Sequence, residues 1–218
     1  LTLDLKLFWM SWKEGNILKI TFPHMGNIYV PLKSLFENLG LEVIVPPICT
    51  KRTLELGVAH SPEFACLPLK INIGNFIEAL EKGADTIIMA GGVGPCRFGY
   101  YGIVQKEILK NLGFEFKMII LEPPQGCFLQ LLNKIKLIIN KENNSIKDII
   151  YATRLAWKKA LLLDKVEVEA CKLRPVEMVR GQTDKAYDYI LQRISDIKSE
   201  NEVSSVEAEV IRVFSSKN

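Results

Sequence analysis

Histidine is scarce in this 218-residue chain, which has only His24 and His60. Excess charge of one sign is missing as well: 28 Lys and Arg stand against 25 Asp and Glu, for a formal net charge of +3. That balance excludes a nucleic-acid binder that relies on bulk charge. No apolar run reaches the roughly 18–20 residues of a membrane span. The opening LTLDLKLFWM is apolar but short, carries Asp4 and Lys6, and lacks a small-residue cleavage site. No export signal is expected, and a cytoplasmic location is. The P-loop pattern and a Gly-x-Gly-x-x-Gly opening a helix are both missing, so ATP or a dinucleotide bound by this chain is not expected. No Gly-x-Ser-x-Gly occurs either, which removes a nucleophile elbow. Cysteine is present but odd in number, at five. A fully paired disulfide scaffold is therefore excluded, and a reducing compartment leaves thiols to ligate metal, react or pack.

What is present is a globular composition, 48% hydrophobic and 24% charged, with strand-like and helix-like segments in alternation. Short apolar runs at 17–22, 41–45, 86–90 and 116–121 read as strands, several closed by proline or glycine. Between them, 31–39, 50–58, 67–81 and 101–112 carry apolar residues at helical spacing, with Gly40, Gly83 and Gly113 as stops. Strand and helix in alternation favour a Rossmann- or flavodoxin-like α/β unit over residues 15–125. Its parallel sheet has about four strands, with helices on both faces. Residues 126–218 read as a helical appendage, with helices at 128–139, 146–168 and 184–199, an interruption at Pro175, and a frayed helix or tail at the end.

An open parallel sheet gathers its strand-to-helix loops at the carboxyl edge, where ligands bind. Cys49 follows the second strand, Cys96 the third and Cys127 the fourth. Cys66 opens the helix that returns from this edge. Four cysteines are thus expected at one rim, assembled from separate loops, unlike the Cys-x-x-Cys pairs of zinc ribbons or small ferredoxins. Helix N-termini lower thiol pKa and favour the thiolate. The run Gly91-Gly92-Val93-Gly94 lets backbone approach a bulky group, with Gly94 nearest Cys96. His24 follows the first strand at the same expected edge. Lys70 and Arg97 follow candidate ligands closely and would stabilise thiolates. Against each stands a plainer reading, in which a buried cysteine only packs and a charge is only solvated. Cys171 is given that reading outright. Tyr100 and Tyr101 are expected to pack at a helix start, and Phe8, Trp9 and Trp12 to form an apolar docking patch.

Around two of these cysteines the residues are more distinctive. Pro62-Glu63-Phe64-Ala65-Cys66-Leu67-Pro68-Leu69-Lys70, then Gly74-Asn75, then Gly94-Pro95-Cys96-Arg97-Phe98-Gly99-Tyr100-Tyr101 resemble the acyl-CoA dehydratase activase-related proteins. These are relatives of the iron–sulfur subunits of 2-hydroxyacyl-CoA dehydratases and of double-cubane cluster proteins. The likeness runs from about Ile20 to Pro124 and returns at Arg174 to Gly181. It implies a cysteine-ligated [4Fe–4S]-type cluster in an oxygen-sensitive protein of anaerobic metabolism, with Cys66 and Cys96 as the first two ligands. It also implies an ATP-hydrolysing activator as electron donor, and a homo- or hetero-oligomer with a related α/β iron–sulfur subunit. The third ligand normally comes from a second α/β domain, and only one is expected here. Cys127, Cys49 or a partner chain would supply it instead. That departure points to a dehydratase- or reductase-like subunit and not to a complete dehydratase. Two alternatives stand beside it: a non-catalytic α/β scaffold, and a structural zinc site on the same thiolates.

Overall fold

The computed structural model describes residues 18–92, 94–122 and 145–215. The helix expected at 128–139, the aromatic N-terminal patch and Cys127 lie outside the described residues. Among the described residues, four strands form one sheet: β1 (Lys19–Thr21), β2 (Glu42–Val43), β3 (Thr86–Ala90) and β4 (Lys117–Leu121). Their order is β2-β1-β3-β4 and every pairing is parallel, as the alternation of elements requires. The register sets Ile20 opposite Thr86 and Ile88 opposite Ile119. The helices are α1 (Tyr29–Asn38), α2 (Lys51–His60), α3 (Leu67–Glu81), α4 (Tyr101–Asn111), α5 (Ile146–Leu173), α6 (Gln182–Asp196) and α7 (Glu200–Ser215). None is long and apolar enough to cross a membrane.

Packing divides the chain into two units: Leu1–Pro23 with Leu41–Ile135, and His24–Gly40 with Lys136–Asn218. In the first, Ile73, Phe76, Ile87, Met89 and Leu109 are almost wholly buried and form the core. α2 and α3 run antiparallel and very close. A Cβ at Gly57 would fall on the Lys70 carbonyl oxygen, and one at Gly74 on that of Thr53. The contact is tied by polar groups: Thr53 Oγ1 donates to the buried Glu78 carboxylate at 2.7 Å, and Arg52 pairs with Glu81 at 2.7 Å. α2 begins with a capping box, Thr50 and Thr53 each accepting from the other's amide.

The second unit is helical. Its core joins Val30 of α1 to Leu155, Leu162 and Val166 of α5, Ile190 and Ile194 of α6, and Val206, Val210 and Phe214 of α7. α1 therefore packs with the C-terminal helices, although its sequence position lies inside the α/β region. Ser145 and Asp148 cap α5, with the Ser145 amide donating to the Asp148 carboxylate at 2.8 Å. That helix runs past residue 168 to Leu173, because Ala170 and Leu173 continue its buried stripe. Glu177 then caps α6, accepting from the amides of Gly181 at 2.7 Å and Thr183 at 3.0 Å. Residues 200–215 form the helix α7 and not a tail. Val203, Val206, Val210 and Phe214 recur at helical spacing and are buried.

Lys159 of α5 is 1% exposed and donates to the Ser195 carbonyl in the last turn of α6 at 3.1 Å. Burial lowers its pKa from 10.5 to about 8, opposed by Glu37, Asp196 and Glu202 and assisted by Lys33.

Two expectations follow for the full chain in denaturant titrations. Gly74→Ala should destabilise it by about 1–3 kcal/mol, because α2 and α3 must separate to admit the methyl group. Lys159 binds fewer protons folded than unfolded between pH 8 and 10.5. Wild-type stability relative to Lys159→Met should therefore rise across that window, by on the order of 1–3 kcal/mol. A flat difference with pH would contradict this.

Candidate cysteine site

Cys66 occupies the N-cap of α3, and Pro68 in the first turn favours the start of that helix. Its sulfur hydrogen-bonds the Tyr101 hydroxyl, presented by the first residue of α4. Tyr101 is 3% exposed, and burial followed by the Cys66 interaction pushes its pKa up to about 12. It stays protonated and donates to the sulfur. The same bond holds the Cys66 thiol below its ordinary value; burial opposes this, while the first-turn amides of α3 and the charge of Arg97 add to the lowering. Cys96 caps the short 3-10 turn Arg97–Tyr100 ahead of α4, and its charge also acts on Tyr101. Cys66, Arg97 and Tyr101 therefore line one cavity, with Cys96 at the N-cap of the turn that carries Arg97.

The two expected cations hold the turn that leads into Cys66. Lys70 Nζ donates to the Glu63 carbonyl at 3.0 Å, and Arg97 Nη1 to the Phe64 carbonyl at 3.3 Å. Beside them lies a cavity of about 220 Å³, lined by Pro62, Phe64, Cys66, Arg97, Tyr100 and Tyr101 among others. Phe64 and Tyr100 are 81% and 69% exposed, so its rim is apolar and open. Gly94 has φ +152°, a conformation that side-chain-bearing residues rarely adopt. Gly99 lies so close to the Gly92 carbonyl that a Cβ there would overlap it, which keeps the loop after β3 tight.

Of the other expected site residues, Cys49 lies away from Cys66. Cys49 sits just before α2, at the end of the hairpin away from Cys66. Its sulfur is 3.6 Å from the Asn75 amide nitrogen, nine positions further along α3 and so roughly 13 Å from Cys66 along the helix axis. The antiparallel path of α2 carries Cys49 away from the expected rim. His24 belongs to the helical unit, with its ring 4.6 Å from that of Tyr29 and its pKa lowered by burial. Cys171 is exposed on α5, with Arg174 Nη1 3.9 Å from its sulfur, and so does not serve as core packing. Among the described residues, no group of three or more His, Cys, Asp or Glu side chains stands close enough to share a metal ion.

Tyr101 is the site residue that sequence reasoning missed, having assigned it to packing. It does pack, 5.2 Å from the Phe98 ring, but its hydroxyl is what meets Cys66. The signal was there: it is the first residue of the helix leaving the same edge, five positions after Cys96.

Residues 24–90 match the family described as a CoA enzyme activase uncharacterised domain. The match spans under a third of the chain; it takes in Cys49, Cys66 and Lys70 and stops before the Cys96 motif. This agrees with the resemblance at the level of an activase-related family. No curated protein and no solved structure matches the chain.

Removing the Tyr101 hydroxyl should release the Cys66 thiol from the bond that favours its thiolate. In Tyr101→Phe, the midpoint of the pH profile for alkylation of Cys66, followed by peptide mass mapping, should move to higher pH. An unmoved midpoint would show that the hydroxyl does not control the thiolate.

Proposed function

We propose that this chain is a cysteine-ligated iron–sulfur protein. Cys66 and Cys96 supply two thiolates of a [4Fe–4S]-type cluster that serves low-potential electron transfer in a dehydratase- or reductase-like complex. The observation that carries this is the Cys66–Tyr101 hydrogen bond, with Cys96 and Arg97 acting on the same pair. The donor set fits a soft metal centre: a thiol whose pKa is lowered, a cation beside it, and an open cavity. Arg97 would stabilise an anionic cluster, and Lys70 would hold the turn that aims Cys66. Such a cluster, when bound, supplies one-electron redox chemistry at low potential.

Two described thiols do not complete a cluster. Cys127 or a cysteine of a partner chain supplies the remainder in this proposal, and the apolar rim of Phe64 and Tyr100 suits a partner that covers the site. The activase-like match to residues 24–90 supports an association with an ATP-dependent activator. A second reading, an α/β scaffold whose thiols ligate nothing, is favoured by the missing three-residue metal group among the described residues.

Anaerobic purification and reconstitution separate the readings. Wild type should hold iron and acid-labile sulfide and turn brown, and Cys66→Ser and Cys96→Ser should each lose most of both. Iron-free, colourless protein would favour the scaffold. Zinc bound in place of iron would identify a structural metal site.

A further inference from the structure

The helical unit contains a second cavity, of about 380 Å³, walled by α1, α5 and the end of α6. Its lining includes Lys33, Glu37 and Asn38 from α1, Lys159 from α5, and Asp196 and Lys198. We propose that Lys159 is a nucleophilic amine at the floor of this cavity and forms an imine with a small anionic aldehyde.

Three features carry the proposal independently of the cysteine site. First, Lys159 is 1% exposed yet forms part of the cavity wall. Second, among the described residues no carboxylate lies within 4.0 Å of its amine, whose one hydrogen bond is to the Ser195 carbonyl at 3.1 Å. Burial without a contact ion pair shifts the amine toward the uncharged form, against the pull of Glu37, Asp196 and Glu202. A neutral amine has two N–H groups and one lone pair; one N–H can remain on Ser195 while the lone pair attacks. Third, one of the two other lysines of the cavity, whose charges are balanced by Glu37 and Asp196, is placed to meet an anionic carbonyl compound. Lys33 is half-exposed and pairs with Glu37 at 3.8 Å. Lys198 is exposed and forms no ion pair within 4.0 Å among the described residues, although Glu202 interacts with it electrostatically; it is the cation placed to receive a phosphate or carboxylate substituent.

The chemistry balances without an added oxidant or reductant. The Lys159 nitrogen bonds to the carbonyl carbon, the carbonyl electron pair moves to oxygen, and a proton passes from nitrogen to that oxygen. The resulting carbinolamine then expels water to leave the imine. Glu37 and Asp196 line the cavity, and Glu202 acts on Lys159 from α7; the first two are placed to carry the proton. A purely structural lysine, capping the last turn of α6 through Ser195, would account for the hydrogen bond. It would not call for a cavity beside an amine lacking a counter-ion.

The test uses the full chain with pyridoxal 5′-phosphate as probe at pH 8, borohydride trapping and peptide mass mapping. Lys159 should be modified at least about tenfold faster than Lys51, a solvent-exposed lysine, because burial lowers the Lys159 pKa to about 8 and leaves a large share of its amine neutral at that pH. Lys159→Arg should abolish that adduct. Lys198→Ala, an exposed change that leaves the core intact, should slow trapping by pyridoxal 5′-phosphate but not by pyridoxal, which lacks the phosphate. An unmodified Lys159, or one no faster than Lys51, would overturn the site. Equal trapping of both probes that Lys198→Ala leaves unchanged would overturn its preference for anions.

Discussion

A sheet with only parallel strands sends every strand-to-helix connection out at one edge, and the candidate cysteine site depends on that constraint. The loop after β3 leads through Arg97 to Tyr101, and the turn before α3 delivers Cys66, so groups far apart in sequence meet: Arg97 holds the Phe64 carbonyl and Tyr101 meets the Cys66 sulfur. An antiparallel meander of the same strands would scatter these groups between two edges. The sheet order β2-β1-β3-β4 keeps β3 central, flanked by β1 and β4, so the loop that carries Cys96 leaves from a strand held on both sides.

The second constraint is the close approach of α2 and α3. Gly57 and Gly74 remove the side chains that would hold the helices apart, and Thr53, Glu78, Arg52 and Glu81 tie the contact. This packing fixes where α3 begins and therefore where the Cys66 sulfur lies. It also takes Cys49 to the far end of the hairpin. The same feature gives one cysteine its place and removes another from the site.

The two lysines near functional groups behave in opposite ways, and environment decides which. Lys70 is partly exposed, and its charge is spent on a backbone carbonyl; its role is geometric. Lys159 is enclosed with no close carboxylate, so burial shifts its proton affinity and makes its amine chemically distinctive. Both sit on helices; Lys159 falls on the buried stripe of α5, at helical spacing from Leu155, Leu162 and Val166.

The sequence by itself determined the elements and their kind. Alternating periodicity, punctuated by proline and glycine, marked four strands and most helices, with α3 and β3 matching to the residue, because those signals are local and steric. It also marked Cys66 and Cys96, which open helical turns at the shared edge. Only the tertiary structure decided which groups touch. That Tyr101 donates to Cys66, that α1 packs with the C-terminal helices, and that residues 200–215 form a helix all depend on contacts between distant segments. So does the departure of Cys49, which follows from the direction in which α2 returns. Spacing along a chain records neither the approach of two helices nor the side of a helix on which a hydroxyl meets a sulfur.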